Sequence, residues 1–476
     1  MKTVLVLVSL AVAASAHAQR LDRPNTDVPR EWSQPLPAPA STDVETLRNW
    51  WRMFGDSTLT SLVSGAIESN LDLKEAAARV SEVRAARGVA ASALQPSIAT
   101  SEGYTRVRGG IAQGLTRAGI SSSSSQSRAS LIAPFETNVF QLGFDSFWEL
   151  DLAGGLRKSL RAVDADIRAT EEARNDVRVL VAAEVGRNYV ALRGAQRQLS
   201  TVRANIALQE DSVRLTESRQ RAGLAPELDV VRAKAQLNQT QAEAPALDAE
   251  IDRAAHALAV LLGRPPADLT QELRLEASLP SVPASFPAGV PADLLLRRPD
   301  LRRESAAMTA AAARAGVARA ELYPKLSLSG LVGRQATSLA GFALGIGNFF
   351  SVGPLLRLPL FTGGRIRSNV AVEDARLEQT TLRYENAVLN ALRDVETALS
   401  DLSREKERAE QLHAAEVQNH DAVNLTREIY SKGLGDYLSV LDAQRELLAV
   451  QRQLAQSETT VLLDWITLYK AMGGGW

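Results

Sequence analysis

Gly223-Leu224-Ala225-Pro226-Glu227-Leu228-Asp229-Val230-Val231-Arg232-Ala233 returns 210 residues later as Gly433-Leu434-Gly435-Asp436-Tyr437-Leu438-Ser439-Val440-Leu441-Asp442-Ala443. Each copy follows a long charged run and opens a new stretch of apolar residues at helical spacing. Gly154-Gly155 likewise returns as Gly363-Gly364, offset by 209, and Leu94-Gln95-Pro96-Ser97-Ile98 as Leu322-Tyr323-Pro324-Lys325-Leu326, offset by 228. Three landmarks in one order mark a tandem duplication of a large unit. The wider third offset places extra loop in the first copy, including the run Ser121–Ser125.

Around the first turn, Arg157 to Ala222 contains no Pro and only two Gly. Val181, Val185, Asn188, Leu192, Ala195, Leu199, Val202, Ile206, Gln209 and Val213 repeat at four-three spacing, the seam of a supercoiled helix. At the rise of an α-helix this run spans about 100 Å, beyond any globular domain. Past Pro226 a second helix reaches Leu262, with a kink expected at Pro245 and a stop at Gly263-Arg264-Pro265-Pro266. Upstream, a helix is expected from Asp56 to Ala93. Phe140, Leu142, Phe144, Trp148, Leu150 and Leu152 alternate with Gln141, Gly143, Asp145, Glu149 and Asp151, with Ser146 and Phe147 out of pattern. That predicts a strand with one apolar and one polar side, partnered by Ser97 to Arg108.

The second copy predicts the same order: helix Ala292–Leu322, strands Lys325–Arg334 and Phe349–Phe361, helix Arg365–Lys432, and helix Leu438–Met472. Val388, Leu392, Val395, Leu399 and Leu402 carry its heptads. The uncharged stretch Gln335–Leu356 is long enough to cross a bilayer as a helix. Its Gly341, Gly345, Gly347, Gly353 and Pro354 argue instead for a loop leading into a strand.

Lys2, the apolar run Val4–Ala14 and Ala16-His17-Ala18 read as a signal peptide over residues 1–18, with Gln19 the expected first residue after cleavage. Residues 19–55, Pro-rich over Pro24–Ala40, read as an extended arm. Residues 56–262 and 292–476 are the two copies, and the Pro-rich segment 263–291 links them. With no Cys, a disulfide scaffold, a thiolate metal site and a lipidated N-terminal Cys are excluded. A formal net charge of −1 points to no nucleic-acid partner. Aromatic content of 5% fits long helices.

Each copy supplies two strands of membrane-crossing length. Every sheet edge must be closed in lipid, and the smallest membrane barrels need about eight strands. Four strands therefore predict a barrel shared with copies of the same chain. Here the residues resemble the TolC-like outer-membrane efflux proteins, and more closely the NodT-type channels of tripartite pumps. The resemblance rests on Val28-Pro29-Arg30-Glu31-Trp32, Trp50-Trp51-Arg52-Met53-Phe54-Gly55-Asp56, Ala292 through Leu301, Leu360-Phe361-Thr362-Gly363-Gly364-Arg365, and Tyr430 through Gln444. It implies a mainly α-helical protein with a membrane β-barrel: a homotrimer whose four strands per chain form a twelve-stranded barrel in outer-membrane lipid, above a periplasmic helical tunnel. It also implies a periplasmic adaptor (a membrane fusion protein) and an inner-membrane pump of the RND type as partners. A duct for type I protein secretion shares this architecture. A soluble periplasmic coiled-coil adaptor would carry one helical hairpin, not two.

No Gly-x-Ser-x-Gly elbow, phosphate loop or His-Glu-x-x-His motif is present, so no enzyme activity, cofactor or metal is expected. His413, Glu416 and His420 share a helix face but sit among Gln411, Gln418 and Asn419, a solvated polar surface. The two turns would form the far end of a helical tube, and the resemblance makes that end the gate. It aligns Leu438 with an apolar constriction residue, Asp442 with a ring carboxylate, and Asp229 and Tyr430 with a hydrogen-bonded lock. Gly223, Leu224, Gly433 and Leu434 would meet the adaptor. Threefold symmetry would turn Asp442 into three converging carboxylates, and a Leu ring can exclude water. One departure stands out: the family prototype has an Arg in the second turn where this chain has Gly435.

Overall fold

A strand with one apolar and one polar face needs neighbours along both edges, and the chain supplies some of them itself. The computed structural model describes residues 28–33, 39–40, 44–109, 135–283, 286–287, 291–343 and 347–476. The signal peptide, Gln19, much of the arm and Ser121–Ser125 lie outside the described residues. In chain order the first half comprises β1 (Pro39–Ala40), α1 (Val44–Arg48), α2 (Ser57–Ser69), α3 (Leu71–Ser92), β2 (Ser97–Gly109), β3 (Phe135–Leu150), α4 (Gly155–Arg221), α5 (Glu227–Gln241), α6 (Ala244–Leu261), α7 (Thr270–Leu273) and β4 (Phe286–Pro287). The second comprises α8 (Leu294–Arg297), α9 (Pro299–Ala320), β5 (Lys325–Ala336), α10 (Leu339–Ala343), β6 (Asn348–Arg357), α11 (Arg365–Ser431) and α12 (Tyr437–Ala471).

Two compact units divide the described residues, and each copy of the duplication contributes to both. One comprises residues 83–166 and 308–379; the other comprises 167–307, 380–476 and the described part of 23–82.

The first unit carries one antiparallel sheet in the order β2-β3-β5-β6, so the two hairpins join through β3 and β5. Phe144 pairs with Val332 and Val332 with Phe350. That row, with Ile98 and Val352, makes an exposed apolar face. Asp145, Ser329, Ser351 and Gln335 fall on the other face, and Phe147 joins them opposite Ser97. Where β3 crosses β5, Gly143 faces Gly333. A Cβ on either would lie 2.9 Å from Val332 O or 2.5 Å from Leu142 O, so only glycine fits. Strands of 10 to 16 residues match or exceed the roughly 9 to 11 that cross a bilayer. Among the described residues, β2 and β6 each have one neighbour and leave the other edge open. Among the described residues no helix is long and apolar enough to cross a membrane. The stretch 335–356 ends β5, forms the short α10 and enters β6.

The second unit is centred on aromatics. Trp50 stacks on Tyr469 at 5.4 Å and 14°, Trp465 stacks on the same ring at 5.8 Å, and Phe54 meets Trp50 edge-on. Gly186 of α4 lets Trp50 approach, its Cβ position being 3.0 Å from that ring. Asp56 caps α2 through Leu59 N and also accepts from the Tyr189 hydroxyl at 2.7 Å. Along α4, Val181, Val185, Leu192, Ala195, Leu199 and Val202 are buried as the heptads predict. Beyond Val202 the buried positions turn polar: Asn205, Gln209, Ser212 and Thr216. Asn205 donates to Gln451 and Ser212 accepts from Gln444, both at 2.8 Å and both from α12. Among the described residues, neither end of the Gln209 amide has a hydrogen-bond partner.

Several sequence expectations need correction. Within the expected arm, residues 44–54 form helical turns, and Trp50, Trp51 and Phe54 are buried because they complete the aromatic stack. The expected helix from Asp56 to Ala93 breaks at Asn70. That residue adopts an extended ψ, caps α3 through Leu73 N and donates to Leu261 O at 2.9 Å. The expected helix 292–322 breaks at Arg298, where Pro299 disfavours helix in the residue before it. Arg298 uses the break to pair with Asp300 at 2.7 Å and Asp394 at 3.4 Å, and it donates to Ala471 O. Leu152 and residues 358–361 lie outside the strands. The interruption near Pro245 falls between α5 and α6.

Candidate functional site

Both helix-to-helix turns are built the same way. Gly223 (φ 70°) and Gly433 (φ 73°) take the left-handed conformation that favours glycine. Leu224 N then bonds back to Arg219 O at 2.8 Å, and Leu434 N to Ile429 O at 3.1 Å. Each pair closes a helix C-terminus by capping its last carbonyls. The next helices start differently. Pro226 precedes α5 with no side-chain cap, whereas Asp436 caps α12 by accepting from Ser439 N at 3.1 Å and Ser439 Oγ at 2.7 Å. Those bonds hold the Asp436 carboxyl below its ordinary value.

Behind the turns lies a small separate core of Ala233, Tyr430, Tyr437, Val440 and Leu441, with Val213 and Leu215 against it. Tyr430 and Tyr437 meet at 5.5 Å and 60°. The Tyr430 hydroxyl donates to Asp229 Oδ2 at 3.5 Å, long for a bond to a carboxylate. Burial pushes the Tyr430 phenol up, the Asp229 charge adds to it, and both keep it protonated. Burial pushes Tyr437 to about 12, with Tyr430 and Asp229 adding. The expected pair Asp229 and Tyr430 is therefore in contact, 201 residues apart in sequence.

Leu438 and Asp442 are placed elsewhere. One turn apart on α12, both are exposed, on the side away from buried Tyr437, Val440 and Leu441. Neither belongs to the small core. Their matched positions in the first copy are Leu228, also exposed, and Arg232. Leu224 and Leu434, at the turn tips, are 66% and 77% exposed.

Sequence reading missed Arg219, Tyr437 and the Arg445–Gln236 contact at 2.6 Å. Arg219 lies 4.8 Å from the Tyr430 ring and donates to Ser431 O at 3.0 Å. One signal was available for it: a cation in the last turn of a helix, where the dipole favours positive charge. For Tyr437 it was an aromatic where the other copy has Glu227. Glu416 accepts from Gln451 at 3.1 Å, and His420 contacts Asn424. Among the described residues no group of three potential ligands is placed to hold a metal.

The family described as outer membrane efflux protein matches residues 62–264 and 290–474, most of both copies. The chain belongs to that family. SepC of Pseudomonas putida, a probable efflux pump outer membrane protein, is similar to it at 31% identity over 488 residues, spanning 100% of this chain and 98% of SepC. Nodulation protein T of Rhizobium leguminosarum bv. trifolii is 29% identical over 435 residues, 90% of this chain and 88% of its own. The solved outer-membrane channel OprN superposes with a TM-score of 0.82 at 32% identity, over 95% of this chain and 99% of OprN. The sheet and long helices are thus those of a TolC-like channel. As a member of the outer membrane efflux protein family, this chain is an efflux channel of the Gram-negative outer membrane that extends into the periplasm.

Proposed function

We propose that three copies of this chain form a passive export duct of a tripartite pump, gated at the turn end of its helices. The open outer edges of β2 and β6 support the trimer. Three four-stranded sheets make a closed twelve-stranded barrel, and lipid tolerates no open edge. In this reading residues 1–18 are a signal peptide and 19–55 an arm. The copies 56–262 and 292–476, linked by 263–291, each give one hairpin to the barrel. Gly223, Leu224, Gly433 and Leu434 meet a periplasmic adaptor, which couples the duct to an inner-membrane pump of the RND type. The driving energy and the choice of cargo belong to that pump, and the chain performs no catalysis.

The observation that carries the gate is the exposed side of α12. Leu438 and Asp442 turn away from their own chain's core, as residues lining an axis shared by three copies must. Each trimer then has an apolar ring that excludes water beside a ring of three carboxylates. Asp229 and Tyr430 hold the helices around it. Conductance in planar bilayers tests this. L438A is expected to raise conductance and admit vancomycin in cells, and D442A to weaken cation preference and block by trivalent cations. Parental behaviour in both variants would place the gate elsewhere. Mass measurement in detergent should give three copies; a stable inserted monomer would end the closure argument.

A further inference from the structure

Resting on that gate reading, we propose that Arg219 is the clip that holds each chain's turn end closed, reaching from α4 to the end of α11, where Lys432 is already paired with Glu428. Its guanidinium makes two contacts with the last residues of α11 and lies beside the turn that follows. Nη1 donates to Ser431 O at 3.0 Å, Cζ sits 4.8 Å from the Tyr430 ring, and Nη2 is 3.5 Å from where a Gly433 Cβ would be. Ser431 is the last residue of α11, and its carbonyl belongs to the negative end of that helix, left without an intrahelical partner. A planar cation suits the position, because it bonds the carbonyl while its face covers an aromatic ring. Tyr430 in turn reaches Asp229 at the start of α5. One side chain of α4 thereby ties the C-terminus of α11 and, through Tyr430, the N-terminus of α5.

The duplication shows that this clip is one-sided. The residue matched to Arg219 in the second copy is Ile429, and it fills the second turn. A Cβ at Gly435 would lie 2.9 Å from Ile429 Cγ2. A side chain at 435 therefore has no room unless a β-branched neighbour shifts, and the cation enters from the opposite helix.

Because the chain has no cysteine, R219C carries a single thiol per copy, which permits a charge-restoring test in the full-length protein. Open probability would be recorded in planar bilayers for R219A, for R219C and for R219C treated with ethylammonium or ethylsulfonate methanethiosulfonate. L438A serves as a separate probe of the gate. The heat-resistant oligomer band is the folding control, and R219Q replaces R219A should the latter not assemble. R219A is expected to raise the open-to-closed ratio about three- to tenfold, the scale of one lost cation–π contact. The ammonium adduct should return R219C towards the parent, whereas the sulfonate should not. If L438A alters conductance and R219A behaves like the parent, Arg219 is not the clip and the gate reading survives. Equal rescue by both reagents makes the role one of bulk and overturns the proposal. If neither R219A nor L438A changes the channel, the gate reading falls and the clip with it.

Discussion

Replacing Tyr430 separates the contribution of its hydroxyl from that of its ring. The hydroxyl reaches Asp229 at 3.5 Å. A good hydrogen bond to a charged group contributes about 1.5–3 kcal/mol, but bonding weakens steeply at this length. About 1 kcal/mol is thus the ceiling for Y430F, roughly fivefold in an equilibrium. The ring is a different matter. It is 3% exposed, packs against Tyr437 and lies under Arg219. Truncating a buried aromatic to Ala costs about 3–5 kcal/mol, so opening should be eased on the order of a hundredfold or more in Y430A. Single-channel recordings at neutral pH should show Y430F close to the parent, with rare added openings, and Y430A open for much of the record. Because Tyr430 stays protonated, raising the pH from 6 to 8 should change neither ratio. Equal opening by Y430F and Y430A would refute the reasoning. It would mean that the hydroxyl–carboxylate bond, rather than packing, holds the turn end.

Three further outcomes are expected. A Cβ on Gly194 would meet Thr459 Oγ1 and Cγ2 at 2.6 Å, and Thr459 is buried with its hydroxyl bonded to Ala455 O; G194A should therefore lose about 1–3 kcal/mol to overpacking against about 1 kcal/mol of helix propensity gained. It should lower the thermal dissociation temperature of the oligomer, and adding T459A should reverse the sign; a stabilised single variant would contradict this. Burial, with Asp401 and Glu405 beside it, pushes Asp464 to about 6, partly opposed by Arg187. The folded chain then keeps a proton that the unfolded chain releases from about pH 4 upward, so stability falls between about pH 4 and 6 and the loss persists above. D464N should match the parent near pH 4 and exceed it at pH 7 by about 1 kcal/mol, once solvent screening of this half-buried group is allowed for; a parallel pH profile would contradict it. Intact-mass measurement of the mature protein should give Gln19 as its first residue with no acyl chain, and an added lipid mass would exclude ordinary signal cleavage.

Periodic features were legible in the sequence, and contacts made by single residues were not. The duplication showed at Gly223 and Gly433 because a left-handed cap admits few other residues. The strands showed in Phe140 to Leu150 because alternation records which side meets lipid. The break at Asn70 was hidden because a tertiary bond to Leu261, 191 residues away, helps fix that conformation. Trp50 and Trp51 sat in a stretch that looked extended, and their burial depends on residues far away in sequence, among them Gly186 and Tyr469 against Trp50. At the turn end, Asp229 and Tyr430 were found through family resemblance. Arg219 is legible locally only as a cation in a last helical turn; its partner is a carbonyl on another helix, and no local pattern reports which carbonyl a guanidinium will find.

The change from apolar to polar seam below Val202 has a consequence for how this end of the helices can move. Drawing Leu192, Leu199 and Val202 away from their neighbours would expose greasy surface, at a cost proportional to its area. Drawing Asn205, Ser212, Gln444 and Gln451 apart exchanges amide and hydroxyl bonds for equivalent bonds to water, with little net change. Between Val202 and the small aromatic core behind the turns, the α4–α12 seam is therefore a fastening with wettable teeth: separating these pairs uncovers polar groups, whereas separating the stretches on either side uncovers apolar ones.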